Sequence, residues 1–278
     1  MKKSAIWVIA FVTGGALLSL TAGCGGKADD FEADTEKAIR LMDEGRNAEA
    51  FAILDKQCGS EVTLTVGSED YNQCRALLGD AQAGIAGLDW LDFIANLPDD
   101  DQPSVDSGTL MVDVVADMAG ANEETGLLPA EDLIEKQTAI ETAIDIHSNG
   151  GTITEGELPP EEQAQLALES MMYIIYEISG ALGTPAGAPL TVETLQAALL
   201  ADPNALDTAD IAGINQALTY VDWGSAALIE QTGQDNSAAE EFTAFIDQIS
   251  VTDPVTGEQT VTSGSIAAYI TSLTPETI

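Results

Sequence analysis

Apolar side chains recur at helical spacing along most of this chain. Phe31, Thr35, Ala38, Ile39 and Met42 fall on one face up to Gly45, and Ala50, Phe51, Ile53 and Leu54 continue the pattern to Gln57. That spacing predicts two short helices joined by a tight glycine turn. Residues 61–66 (Glu61-Val62-Thr63-Leu64-Thr65-Val66) alternate, which is a short strand signal. From Asp70 to Leu97 the period is helical again, interrupted by Gly84 and Gly87. Pro98-Asp99-Asp100-Asp101-Gln102-Pro103 is a breaker. Beyond it the pattern predicts helices over Val105–Met118, Ala130–Ile146, Pro160–Leu182, Thr191–Leu200, Thr208–Gln231 and Ser237–Ile249, with a short last one over Ser265–Leu273.

Start signals support several of these elements. Thr191 with Glu193, Pro159-Pro160 with Glu161-Glu162, and Ser237 with Glu240 put caps or acids in first turns, where the helix dipole favours negative charge. Met171-Met172-Tyr173-Ile174-Ile175-Tyr176 is the most apolar piece of the body, and the Glu177 that follows makes it a core helix and not a membrane span. Asp253-Pro254-Val255-Thr256-Gly257 is a turn between two short runs, which predicts a small hairpin. With strands otherwise scarce, the expected fold is all-α: an irregular bundle or an array of stacked helix hairpins.

The first hairpin carries a family likeness. Gly45-Arg46-Asn47-Ala48-Glu49-Ala50, with Ala38 and Leu41 before it and Leu54 after it, resembles the helix pair of one tetratricopeptide repeat. The likeness covers one unit, and no second copy follows at the period of about 34 residues.

The beginning of the chain changes the picture most. Lys2-Lys3, an apolar run from Ala5 to Ala22, and Gly23-Cys24-Gly25-Gly26 have the order of an export signal. The run is also close to the roughly 20 residues a spanning helix needs, so an uncleaved anchor is the competing reading. Leu20-Thr21-Ala22-Gly23-Cys24 resembles the lipobox of bacterial lipoproteins. The resemblance implies acylation of Cys24, removal of residues 1–23, a leader over 24–30, and an acidic helical domain over 31–278 that divides, if anywhere, near 98–104. It also implies attachment to a membrane of the cell envelope. Gly25 stands where an aspartate would signal inner-membrane retention, so the outer membrane is the expected location.

In an exported protein the two remaining cysteines, Cys58 and Cys74, are expected to pair, closing a loop worth roughly 3 kcal/mol in the chain-entropy account. Lys56 and Arg75 lie close enough in sequence to favour a thiolate, but no histidine base is near either thiol.

Charge narrows the partners. Nine basic residues stand against 47 acidic ones, a formal net charge of −38, and Lys136 is the last basic side chain. Nucleic acid is excluded, because a polyanion meets repulsion and too few cations to replace its counterions. With 45% hydrophobic residues the chain should nevertheless fold. The acidity reads as a solubilising coat, as adaptation to a saline setting, or as a surface for a cation or basic partner.

Candidate chemistry is sparse. In the loop from Asp145 to Leu158, Gly151, Ile153 and Glu157 stand in register with the second half of an EF-hand loop. Ile146, Ser148 and Gly150 occupy the positions where calcium needs carboxylates, so a plain connecting loop is the expectation. Asp99-Asp100-Asp101 with Asp106 reads as a solvated acidic loop, and the pairs Glu161-Glu162 and Glu240-Glu241 arise readily in so acidic a chain. His147, the only histidine, lies in a glycine-rich stretch and is expected at the surface. Trp90, Tyr173, Tyr176, Tyr220 and Trp223 either fill the core or line a groove between helices. No catalytic set, metal set or cofactor motif is nominated.

The expectation is therefore a non-enzymatic, lipid-anchored helical protein of the cell envelope that acts as scaffold or adaptor for a protein partner. The alternative is a ligand-binding component of a transport system, with a small molecule held in a pocket between helices.

Overall fold

The computed structural model describes residues 28–59, 63–88, 130–183, 191–232, 237–255, 257 and 259–273. The expected signal and lipobox, Cys24, Trp90, the 98–103 breaker and the helix expected over 105–118 lie outside them. The described residues form an all-α array: α1 (Ala28–Asp43), α2 (Asn47–Cys58), α3 (Glu69–Ala86), α4 (Ala130–His147), α5 (Pro160–Ala181), α6 (Val192–Ala201), α7 (Ile211–Thr232), α8 (Ser237–Ile249) and α9 (Ser263–Ser272). A 3-10 turn (Ala205–Thr208) precedes α7. The expected hairpin is present as two short antiparallel strands that pair Val251 with Thr260 and Thr252 with Gln259. Among the described residues no helix is long and apolar enough to cross a membrane.

Helix boundaries follow local chemistry. The Ser68 hydroxyl accepts from the Tyr71 amide to start α3, and Gly87, at φ 101°, ends it in the left-handed conformation that glycine adopts without strain. Gly84 stays inside the helix, so the break expected there does not occur. Thr191 and Thr262 each form reciprocal capping boxes, at the starts of α6 and α9. The alternation at 61–66 does not become a strand in its described part: the Thr63 and Leu64 amides turn back onto the Gln57 carbonyl, at 2.9 and 3.3 Å. α1 begins at Ala28, inside the stretch expected as leader.

Two apolar cores form. The smaller joins Phe31, Ala38 and Leu41 of α1, Ala50 and Leu54 of α2, and Leu78 and Ala81 of α3 around the Cys58–Cys74 disulfide. The larger is organised around α5, in which Met171 to Tyr176 are all buried, with α7, α4 and the 3-10 turn packed on it. α3 belongs to both, giving Leu78 and Ala81 to the first and Ala83 and Ala86 to the second. Tyr176 donates to the Ala86 carbonyl at 3.0 Å, tying the end of α3 to α5.

Candidate functional site

Where the two cores meet, α3, α4 and α5 enclose a polar cluster. His147, the last residue of α4, is not the surface residue its loop position suggested: its side chain is only 9% exposed. The glycines follow it in the chain and leave the imidazole itself on the helix, aimed inward. Nδ1 lies 2.9 Å from Oε2 of Glu169, a carboxylate with no exposure, and Nε2 lies 3.1 Å from the Ala76 carbonyl oxygen. A carbonyl only accepts, so Nε2 carries a hydrogen, and a further proton lies between Nδ1 and Glu169. Gln165 donates to the other Glu169 oxygen at 3.2 Å and also to Asp80, whose Oδ1 is 3.7 Å from Nε2. These donors favour the ionised carboxylate, and the pair reads as imidazolium and carboxylate.

Burial alone would lower the histidine pKa. The Glu169 charge and hydrogen bond, then Asp80 and the Ala76 carbonyl, more than offset it and raise it to about 10. Burial in turn raises the carboxyl pKa of Glu169, against the pull of the imidazolium. The ring fits because Gly79 passes beneath it; a Cβ at that position would run into the imidazole. Arg75 adds a second tie, donating to the Ile146 carbonyl at 3.2 Å. A cation and a guanidinium thus meet the C-terminal end of α4, where the helix dipole is negative.

The loop after α4 then turns through three consecutive left-handed residues, Asn149 (φ 49°), Gly150 (φ 67°) and Gly151 (φ 71°), with the Gly151 amide donating to the Ser148 hydroxyl at 3.0 Å. Among the described residues no three of its side chains of metal-binding type gather around one point. Glu157 accepts from the Thr154 amide at 2.6 Å, closing its own turn. Instead the loop walls a cleft of about 400 Å³ between α4, α5 and α7. Glu141 and Asp145 on α4, Asp210 just before α7, and the rings of Tyr173 and Tyr220 line it.

Sequence reasoning offered five aromatics as groove or core, and they divide. Tyr173 and Tyr220 line the cleft, and Tyr220 also meets Trp223 edge-on at 5.2 Å. Tyr176 is core, and Trp90 lies outside the described residues. The Tyr173 residue is 7% exposed, and its hydroxyl reaches the cleft with no hydrogen-bond partner among the described residues. Burial, then the Glu177, Asp210 and Glu141 carboxylates, hold its pKa above the ordinary phenol value, so it stays protonated.

Cys58 and Cys74 are brought together as expected, with Cα atoms 6.1 Å apart. Glu169 was not anticipated, although one carboxylate inside the apolar run Leu166-Ala167-Leu168-Glu169-Ser170-Met171 was a usable signal. Among the described residues no group of three or more histidine, cysteine or acidic side chains is placed to hold a metal ion. No protein-family model matches the chain, and neither curated proteins nor solved structures give a match.

Proposed function

We propose that the protein is a lipid-anchored binding protein of the cell envelope, acylated at Cys24, that holds a small molecule in the cleft between α4, α5 and α7. The observation that carries this reading is the cleft itself. It has the volume of a small-ligand site, and the Tyr173 hydroxyl reaches it beside carboxylates, with no hydrogen-bond partner among the described residues. The buried His147–Glu169 pair belongs to the framework of this site, because it fixes the end of α4 from which the cleft wall departs. The test is native mass spectrometry of the full chain extracted from its own membranes. A diacyl or triacyl mass on Cys24 together with a released small molecule supports the proposal. An unmodified Cys24 removes the anchor, and the absence of any bound molecule across growth conditions removes the ligand.

The second reading is a scaffold or adaptor for a protein partner. It is favoured by the α1–α2 hairpin, which resembles one tetratricopeptide unit in sequence, and by a body with no lysine or arginine after Lys136 to oppose a basic partner. Crosslinking in intact cells that recovers one defined partner supports it, and recovery of none counts against it.

A further inference from the structure

The chemistry of the cleft specifies more than the presence of a ligand. Resting on the ligand-binding function proposed for this cleft, we infer that it takes the primary ammonium group of a small organic cation. Glu141, Asp145 and Asp210 supply the counter-charge, and the Tyr173 hydroxyl accepts from the ammonium.

Four observations converge on that chemistry. First, the cleft lining contains carboxylates on two of its walls and no lysine or arginine. The chain has no lysine or arginine after Lys136, and the His147 imidazolium is already committed to Glu169. Second, the Tyr173 side chain is nine-tenths buried and its hydroxyl, which reaches the cleft, has no hydrogen-bond partner among the described residues, so its acceptor is open to a ligand. An N–H donor satisfies it, whereas a quaternary ammonium has none to offer. Third, the acids are too dispersed for a metal: no group of three among the described residues is placed to hold an ion. A cation whose charge lies on a carbon skeleton, and which touches two tyrosine rings, suits the spacing better. Fourth, room is kept at the relevant atom. Gly213 lines the cleft, and a Cβ there would lie 2.5 Å from the Tyr173 Oη. Gln216 donates to the Tyr220 hydroxyl at 2.8 Å, which orients that side chain at the cleft.

The experiment is calorimetric titration of the full-length protein in detergent at fixed ionic strength, with 1,4-diaminobutane as probe, choline as quaternary control and glycerol as neutral control. Saturable one-to-one binding of the diamine is expected, at least about fivefold tighter than choline, with none for glycerol. Asp210→Asn keeps the side-chain oxygen that accepts from the Gly213 amide at 3.0 Å and removes the charge. It should weaken the diamine about tenfold, as should Asp145→Asn at an exposed position that folding does not depend on. Tyr173→Phe should narrow the preference for diamine over choline, leaving the part that the second charge of the diamine supplies. The exposed Glu193 lies outside the cleft, and Glu193→Gln should change nothing. Diamine binding that falls equally with Glu193→Gln is binding to the acidic coat and overturns the inference, as does equal affinity for choline. If a neutral or anionic molecule is released from the native protein and the diamine fails to bind, this inference falls and the ligand-binding reading stands. If no small molecule is ever recovered and the diamine fails, both fall.

Discussion

Nδ1 of His147 lies 2.9 Å from Oε2 of Glu169, while Nε2 of the same ring faces the Ala76 carbonyl at 3.1 Å, so one imidazole links α3, α4 and α5 at the meeting of the two cores. Removing one member of a buried ion pair leaves the other charge uncompensated, at about 3–5 kcal/mol. His147→Leu should therefore lower the stability measured by urea unfolding by that amount. Glu169→Gln keeps a hydrogen-bonding group against Nδ1 and lets the imidazole become neutral, so its loss should be clearly smaller. The reverse order would contradict an ionic pair.

The same pair sets a pH dependence. Its histidine pKa rises from the ordinary 6.5 to about 10 on folding, so the folded chain holds a proton that the unfolded chain releases. The stabilisation is complete below about pH 6.5 and is lost as pH rises through about 10, with a slope of at most about 1.4 kcal/mol per pH unit. Asp80 on α3, with Glu162 and Glu169 on α5, are the acids that act on the ring. No other histidine exists to obscure the window. Urea midpoints collected from pH 6 to pH 10 should fall steadily, and Glu169→Gln should flatten the curve.

Reduction of the Cys58–Cys74 disulfide should act on the smaller core. The bond spans 16 residues and lies inside the cluster built from α1, α2 and α3. Roughly 3 kcal/mol of stabilisation is expected from a loop of this size. Hydrogen exchange after reduction should quicken in α2 and the first turns of α3 before it changes in α5. Uniform quickening would mean that the two cores unfold together.

Salt should stabilise the chain. A formal charge of −38 makes the long-range surface terms mainly repulsive, and the exposed ion pairs among the described residues centre on Arg46 with Glu44 and Glu49. Screening lengths shrink from about 10 Å at 0.1 M to about 3 Å at 1 M, so the melting temperature should climb by several degrees over that range. A melting temperature indifferent to sodium chloride would remove the idea of adaptation to a saline setting.

Much of the fold could be read from periodicity because burial is the property that periodicity reports. Met171 to Tyr176 announced the central helix, Thr191 announced its cap, and the two body cysteines announced their bond. The site was harder to read. His147 and Glu169 are 22 residues apart, and nothing local says that a histidine before three loop residues points inward while those residues turn out. Spacing shows which residues share a face, but which neighbour covers that face is decided by Gly79, where a missing side chain on another helix makes room for the ring. For the same reason Tyr173 could be given only as core or groove: it is both, with its ring buried and its hydroxyl at the cleft.

The absence of lysine and arginine beyond Lys136 has a consequence at a membrane surface. Apart from Lys2 and Lys3, the seven lysines and arginines of the chain all lie between Lys27 and Lys136, whereas the segment that carries α5 to α9 contributes acids alone. Tethered through Cys24 to an anionic bilayer, as proposed, such a molecule is held at one end and repelled at the other within a screening distance of about 8 Å at 0.15 M salt. Repulsion of that reach would keep the acidic surface from lying flat on the lipid, without a single specific contact.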